Sequence, residues 1–221
     1  MEVTAIYDWL VDGSRRAAHA PADTHVVASV IAMAVQEARS GSALSVGVGL
    51  AGAELRDLLA AFFPQALSLL ERFNLDEAVL LSEDERCLRE LLVRHATHDT
   101  PFETWLASMI ARRSMRPNHL WQDLGLCTRH ELSDILRQHF ASLAARNNRD
   151  MKWKKFFYRL ICRDEGFHLC TAPSCSECDD FAVCFGDESG ESMLAHIRRA
   201  AEMPASHGLL SVPSTLSLPR S

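Results

Sequence analysis

The 221-residue chain has few of the residues that make turns, with 10 glycines and 8 prolines. Valine, isoleucine and threonine are also scarce beside 28 alanines and 29 leucines. Alanine and leucine have high helix propensity, whereas β-branched residues favour strands. The composition therefore argues against a turn-rich β protein and predicts an all-α fold.

The sequence also lacks the long apolar stretch of about 18 residues that a membrane span needs. Acids at Glu2, Asp8 and Asp12 interrupt any apolar signal segment at the start. The seven cysteines are an odd number for a fully paired disulfide framework. A net charge of −6 gives no reason to expect nucleic acid as the main partner. We therefore expect a cytoplasmic protein with no membrane and no nucleic-acid partner.

Three helix starts are indicated by capping boxes, in which a Ser or Thr and a Glu three residues later bond each other's backbone N–H groups. The boxes begin at Ser82, Thr100 and Thr128. Apolar residues spaced by three and four follow Thr100 and Thr128, and the second run predicts one helix that reaches Leu143. The same periodicity predicts helices at roughly 23–39, 53–72 with an interruption at Pro64, and 151–163.

Two local patterns have an ordinary explanation beside a functional one. The segment 47–52 matches the dinucleotide-binding pattern G-x-G-x-x-G, but Ala- and Leu-rich helix follows it, so we interpret it as a connection between helices. His95 and His98 stand three residues apart on one predicted helix, and His119 precedes Asp123 by four. Either pair can hold a metal or an oxyanion, although a packed or capping histidine is the simpler interpretation.

Four of the seven cysteines fall within fifteen residues, at Cys170, Cys175, Cys178 and Cys184. Four thiolates at this spacing suit a tetrahedral zinc ion or an iron–sulfur cluster. Zinc modules usually pair two Cys-x2-Cys hooks, and only one is present. The uneven x4, x2, x5 spacing therefore favours a cluster, while zinc stays open. Cys87 and Cys127 are expected in the core, and Cys162 is a half-buried helix residue or a spare thiolate.

A cationic helix leads into this array. Residues 146–168 carry a net charge of +4, and residues 170–191 carry −6. The helix can balance the charge of a cluster, attract an oxyanion or dock an acidic partner, or it is a solvated basic face. Aromatic residues around the array can supply a dry wall or ordinary packing; they are Trp153, Phe156, Phe157, Tyr158, Phe167, Phe181 and Phe185.

These segments resemble a known family. The run from Met151 to Arg159 (MKWKKFFYR) and the array with its flanks from Cys170 to Gly186 are similar to the signature of NifQ, a nitrogen-fixation accessory family. The segment from Asn118 to Leu126 (NHLWQDLGL) is similar to that family too. The resemblance extends from roughly Arg94 to Gly186.

The resemblance implies a carrier of molybdenum that is not an enzyme. It implies that Cys170, Cys175, Cys178 and Cys184 hold a molybdenum–iron–sulfur cluster. It also implies that molybdenum is delivered to the assembly of the nitrogenase iron–molybdenum cofactor, with the scaffold NifEN and the iron protein NifH as partners. His119 and Asp123 are further candidates only through the resemblance.

Two other functions compete with the carrier. One is an interaction module in which the four thiolates hold structural zinc, and the other is a redox or oxygen sensor with a labile cluster. For the architecture we predict a helical bundle with an irregular C-terminal cysteine-rich metal-binding loop. Its parts are a helical scaffold at 1–150, the basic aromatic helix and cluster loop at 151–190, and a short helix with a disordered tail at 191–221.

Overall fold

The computed structural model of the protein describes residues 3–14, 19–70, 72–73, 75, 78–164 and 188. A 3₁₀ turn at Pro64–Ala66 interrupts a series of α-helices. The helices are α1 (Val3–Ser14), α2 (Pro21–Arg39), α3 (Leu44–Val48), α4 (Gly52–Phe62), α5 (Leu67–Leu70), α6 (Glu83–Arg94), α7 (Pro101–Ser114), α8 (Leu120–Asp123), α9 (Arg129–His139), α10 (Ala141–Arg146) and α11 (Trp153–Asp164). The described residues contain no strand, which confirms the all-α prediction for this part of the chain.

Helix α2 lies at the centre of the molecule. Every residue from Val26 to Val35 is buried, so this stretch is covered on all sides. A helix that is apolar all round belongs inside a protein, because no face of it gains from contact with water. Helices α1, α3 and α9 contact α2.

The predicted caps form, but only one capping box is complete. Ser82 and Thr128 each accept the N–H of the third residue of their helix, at 3.2 Å. Thr100 does the same, and its own N–H donates back to Glu103 Oε2 at 3.3 Å. The other two glutamates are engaged elsewhere: Glu85 pairs with Arg112, and Glu131 accepts the N–H of Cys127.

The prediction of one continuous helix from Thr128 to Leu143 is wrong. Phe140 has φ −137° and separates α9 from α10. Thr97, in the loop before α7, stabilises this break: its N–H donates to the His139 carbonyl, and its hydroxyl accepts the N–H of Ala141, both at 2.9 Å. Sequence periodicity does not detect the break, because the apolar residues on both sides of Phe140 still face the core.

The placement of His95 and His98 on one helix is also wrong. Helix α6 ends at Arg94, His95 caps it, and His98 lies in the following loop. The N–H of His98 donates to Glu103 Oε2 at 2.9 Å. A hydrogen bond to the first turn of α7 therefore holds His98 in a loop, where the sequence predicted a continuation of α6.

The glycine-rich segment 47–52 connects two helices, as expected. Gly49 ends α3 with φ +85°, and α4 begins at Gly52. A Cβ on Gly49 would lie 2.6 Å from Cβ of Arg112. The glycine therefore serves a left-handed helix end and a close approach to α7.

Buried residues from α1 to α11 form one hydrophobic cluster. Helix α11 contributes Trp153, Phe156, Phe157, Leu160 and Ile161 to it and packs against α6. None of the helices in the described ranges combines the length and apolar character that a membrane crossing requires. The division at residue 150 stays a prediction, and the predicted tail at 191–221 lies outside the described residues.

Candidate functional site

The four proposed cluster ligands, Cys170, Cys175, Cys178 and Cys184, lie outside the described residues. Cys162 falls near the end of α11. The site can therefore be built only from what surrounds the array in the sequence: helix α11 before it and Glu188 after it.

A cleft of about 520 Å³ lies between the start of α11 and the segment around α8. We call it the lysine cleft; it is lined by Pro117, Asn118, His119, Leu120, Gln122, Lys152, Lys154, Lys155 and Glu188. Lys155 is exposed, whereas Lys152 and Lys154 are half-buried. Part of the basic charge predicted from the sequence is thus concentrated in a concave surface.

Lys154 is held at the inner side of the cleft. Its Nζ donates to Asp123 Oδ2 and to the carbonyl of Arg116, both at 2.5 Å. Burial lowers the pKa of Lys154, and the hydrogen bond to Asp123 opposes that effect. The charge of this lysine is therefore costly in the folded protein, and a further anion in the cleft would reduce the cost.

Asp123 has a structural role in this arrangement. Its side chain is 4% exposed, and it accepts hydrogen bonds from Lys154 and from Asn118 Nδ2, the latter at 3.0 Å. His119 instead precedes α8, where its N–H donates to Gln122 Oε1 at 3.1 Å. The backbone N–H of Asp123 donates to the His119 carbonyl at 2.9 Å, but the two side chains, whose spacing suggested a pair, have separate partners.

Glu188 lies in the lysine cleft with its side chain 7% exposed. Its carboxylate oxygens are 3.4 Å from Nδ1 of His119 and 3.2 Å from Nε of Arg129. A nearly buried carboxylate surrounded by basic side chains shows that the cleft accommodates an anionic group. Sequence reasoning missed this contact, because Glu188 is 69 residues from His119.

The other face of α11 lines a second cleft, of about 260 Å³. It carries Arg146, Arg149 and Arg159 beside the core residues Met151, Phe156 and Leu160. The lysines of the first cleft and the arginines of the second all come from the segment with the net charge of +4. The basic character of this helix is therefore presented on two sides.

The aromatic residues of α11 serve packing. Trp153, Phe156 and Phe157 are at most 6% exposed and lie in the common core. Trp153 Nε1 donates to Ser133 Oγ on α9 at 3.0 Å. This confirms the packing interpretation for these three rings; Phe167, Phe181 and Phe185 lie outside the described residues.

The two remaining cysteines differ in environment. Cys87 is partly buried and packs against the core, close to the expectation. Cys127 is exposed, so its prediction as a core residue is wrong. It lies in the turn before α9, where its N–H donates to Glu131 Oε2 at 2.7 Å.

Comparison with known proteins identifies the family. The model of the NifQ family matches residues 26–186, which is most of the chain. The chain belongs to the NifQ family. A NifQ homolog of Sinorhizobium fredii (strain NBRC 101917 / NGR234) is 44% identical over 174 residues, covering 77% of this chain and 74% of that protein. No solved structure matches this NifQ-family chain.

Two further NifQ proteins are similar to the chain. That of Rhodobacter capsulatus is 42% identical over 164 residues, covering 72% of this chain and 87% of the relative. That of Azotobacter vinelandii is 44% identical over 101 residues, covering 46% of this chain and 52% of the relative. Membership of the NifQ family supports a role in nitrogen fixation and in the handling of molybdenum.

Proposed function

We propose that this NifQ-family protein is a cytoplasmic molybdenum carrier rather than an enzyme. It holds molybdenum in a molybdenum–iron–sulfur cluster on Cys170, Cys175, Cys178 and Cys184 and donates it to assembly of the nitrogenase iron–molybdenum cofactor. The observation that carries the proposal is the family match over residues 26–186, because that range includes the whole cysteine array. Soft thiolate ligands at short spacing suit such a cluster.

The lysine cleft supports the proposal because its charge suits the form in which molybdenum reaches the protein. Molybdenum in neutral water is a tetrahedral oxyanion, and the cleft presents three lysines and His119 to such a group. Glu188 occupies part of the cleft and follows Cys184 by four residues. Four residues of chain reach at most about 14 Å. The cleft therefore lies within short reach of the end of the proposed ligand segment.

The charge distribution supports transfer to a partner. Arginines and lysines on both sides of α11 offer a basic surface on the helix that precedes the array in the sequence. Ligands on one segment, rather than dispersed through a core, leave a cluster accessible to a second protein. We propose the scaffold NifEN and the iron protein NifH as recipients of the molybdenum.

Substitution of Cys175 tests the cluster. Cys175→Ala removes one thiolate of the Cys-x2-Cys pair, so we expect lower molybdenum, iron and acid-labile sulfide content, and loss of molybdenum donation. The measurement is metal and sulfide analysis of protein purified without oxygen, followed by a cofactor-assembly assay. Helical content by circular dichroism should remain near that of the wild type.

Cys127→Ala is the matched control, because Cys127 is an exposed thiol outside the array. It should retain the wild-type cluster content. Wild-type metal loading in Cys175→Ala would contradict the ligand assignment. Zinc without sulfide in the wild type would support a structural zinc module instead, and iron with sulfide but no molybdenum would support a redox or oxygen sensor.

A further inference from the structure

A group of four acidic and histidine side chains lies away from α11 and has no part in the proposed carrier site. Asp23 is in the first turn of α2, Glu103 is in the first turn of α7, His139 ends α9, and His98 is in the loop before α7. Glu103, His139 and Asp23 are 0%, 5% and 8% exposed. The side chain of His98 is 58% exposed and borders solvent.

The two oxygens of Glu103 have different tasks. Oε2 accepts the N–H groups of His98 and Thr100, at 2.9 and 3.3 Å, and completes the cap of α7. Oε1 instead faces two imidazoles: it is 2.8 Å from Nδ1 of His98 and 3.5 Å from Nδ1 of His139. Capping therefore explains one oxygen of this buried carboxylate and leaves the other directed at the histidine pair.

The orientation of His139 is fixed by Asp23. Nε2 of His139 is 2.8 Å from Asp23 Oδ1, which directs Nδ1 toward Glu103. Nδ1 is buried and makes no hydrogen bond to any residue that the structure describes. With the ring proton on Nε2, the Nδ1 lone pair faces a carboxylate oxygen, and this contact is repulsive unless a second proton on Nδ1 or a metal cation lies between the two atoms.

The charge of the group also favours a bound cation. Two buried carboxylates give the group a charge of −2 when both histidines are neutral, and hydrogen bonds from neutral donors leave that net charge uncompensated. Among the ion pairs made by the described residues, Asp23 and Glu103 pair only with histidines and have no lysine or arginine partner. A divalent cation would neutralise the group.

We propose that His98, Glu103 and His139 form a binding site for a divalent transition-metal ion, a site that goes beyond the proposed molybdenum carriage. Their ligand atoms all lie within 4.8 Å of one another. Tetrahedral ligands about 2.0–2.1 Å from zinc are about 3.3 Å apart. The separations of 2.8 and 3.5 Å from Glu103 Oε1 bracket that value.

The donor set defines the class of metal. Two imidazole nitrogens and one carboxylate suit Zn²⁺ or Fe²⁺, with the remaining positions taken by water on the exposed side of His98. Asp23 supplies the carboxylate that commonly orients a metal-bound histidine through its second ring nitrogen. Phe102 covers His139 edge-on, with ring centroids 5.1 Å apart, and limits access from that side.

Cobalt(II) is a suitable probe because its spectrum reports the ligand type. We expect the full chain to bind Co²⁺ with ligand-field bands of a nitrogen and oxygen site, and His98→Ala to weaken this binding at least about tenfold, since outer partners of a metal site already contribute 10–100-fold. His98 is the exposed ligand, so its removal spares the core. Zn²⁺ should raise the melting temperature of the wild type by more than that of His98→Ala.

His130→Ala is the control, because His130 is 80% exposed on α9 and lies outside the group. It should bind Co²⁺ like the wild type. Equal intensity of the nitrogen and oxygen bands in His98→Ala and wild type at each Co²⁺ concentration, or no such bands in the wild type, would overturn the proposal. Thiolate-to-cobalt charge transfer reports Co²⁺ on the cysteine array and is scored separately. Cys175→Ala should retain the nitrogen and oxygen spectrum, and His98→Ala should retain molybdenum. The two variants therefore test the proposed metal site and the carrier function independently.

Discussion

Arg113 is the largest fully buried side chain of the described residues, and its charge needs a partner. Burial lowers its pKa, and the nearby carboxylate of Glu37 opposes that shift. The guanidinium donates to Glu37 Oε1 at 2.7 Å and to the carbonyl of Val30 at 3.3 Å. Glu37 also accepts from Arg116 at 2.7 Å, near the surface. Glu37 thus connects a buried and an exposed arginine.

Glu37→Gln should lower the free energy of unfolding by about 3 kcal/mol, because it leaves Arg113 buried with only neutral acceptors. Arg116→Gln removes the partner that is 41% exposed and should cost less than about 1 kcal/mol. Urea unfolding of both variants checks the prediction. If the two variants lose similar free energy of unfolding, the burial of Arg113 does not account for the cost of breaking the network.

Local signals at the residue scale identified the helix starts at Ser82, Thr100 and Thr128, because a cap requires only a side chain three residues from an orphan N–H. They failed for Cys127, which the adjacent Leu126 suggested would be buried. Leu126 is buried whereas Cys127 is exposed, because the chain turns between them. A residue type has an average burial, but the direction of a turn decides whether one particular residue is buried.

At the scale of elements, the junction of α3 and α4 depends on a contact with α7. Gly49 has the left-handed backbone that ends α3, and Arg112 and Ser108 of α7 lie directly against it. Gly41 also has a positive φ, of +103°, but nothing lies within 4 Å of the position of its Cβ. Substitution of Gly41 therefore measures backbone strain alone, whereas substitution of Gly49 measures strain and packing together.

Gly41→Ala should cost about 1–2 kcal/mol, the strain of a left-handed alanine. Gly49→Ala should cost about 1–3 kcal/mol more, because its Cβ would overlap Cβ of Arg112 at 2.6 Å and approach the Ser108 carbonyl at 3.1 Å. Chemical denaturation of the two variants side by side measures the difference. Equal destabilisation would contradict the close approach of α3 to α7.

Long periodic helices were predictable as elements, whereas short ones were not. Helices α2 and α11 follow the predicted ranges closely, since each spans several turns of apolar residues. Helices α3, α8 and α10 have four to six residues, too few for a period to be recognised. The break at Phe140 arises from Thr97, which is 43 residues distant in the sequence.

At the scale of the whole molecule, one core connects α11 to the rest. Phe157 is fully buried within the cluster that also contains residues of α1 and α2. The helix that leads into the cysteine array is therefore anchored in the scaffold. The anchored helix ends at Asp164, six residues before the first proposed ligand in the sequence.

Phe157→Ala should lower the free energy of unfolding by about 3–5 kcal/mol, the usual cost of a large cavity in a core. Circular dichroism and tryptophan fluorescence should report a single shared transition. Lys155→Ala, on the exposed side of the same helix, should change stability little. Two separate transitions, with only one shifted by Phe157→Ala, would show that the helix belongs to an independent unit, as the division at residue 150 predicts.

The sequence by itself determined the all-α class, the long helices, their caps and the family, because each depends on residue types or on spacing within a few turns. Tertiary structure alone decided which charges meet. Glu188 lies beside His119 and Arg129, and Lys154 beside Asp123. His139 also meets the neighbouring residues His98 and Glu103 only in the fold. Such contacts join residues distant along the chain, and no local pattern specifies them until the helices pack around α2.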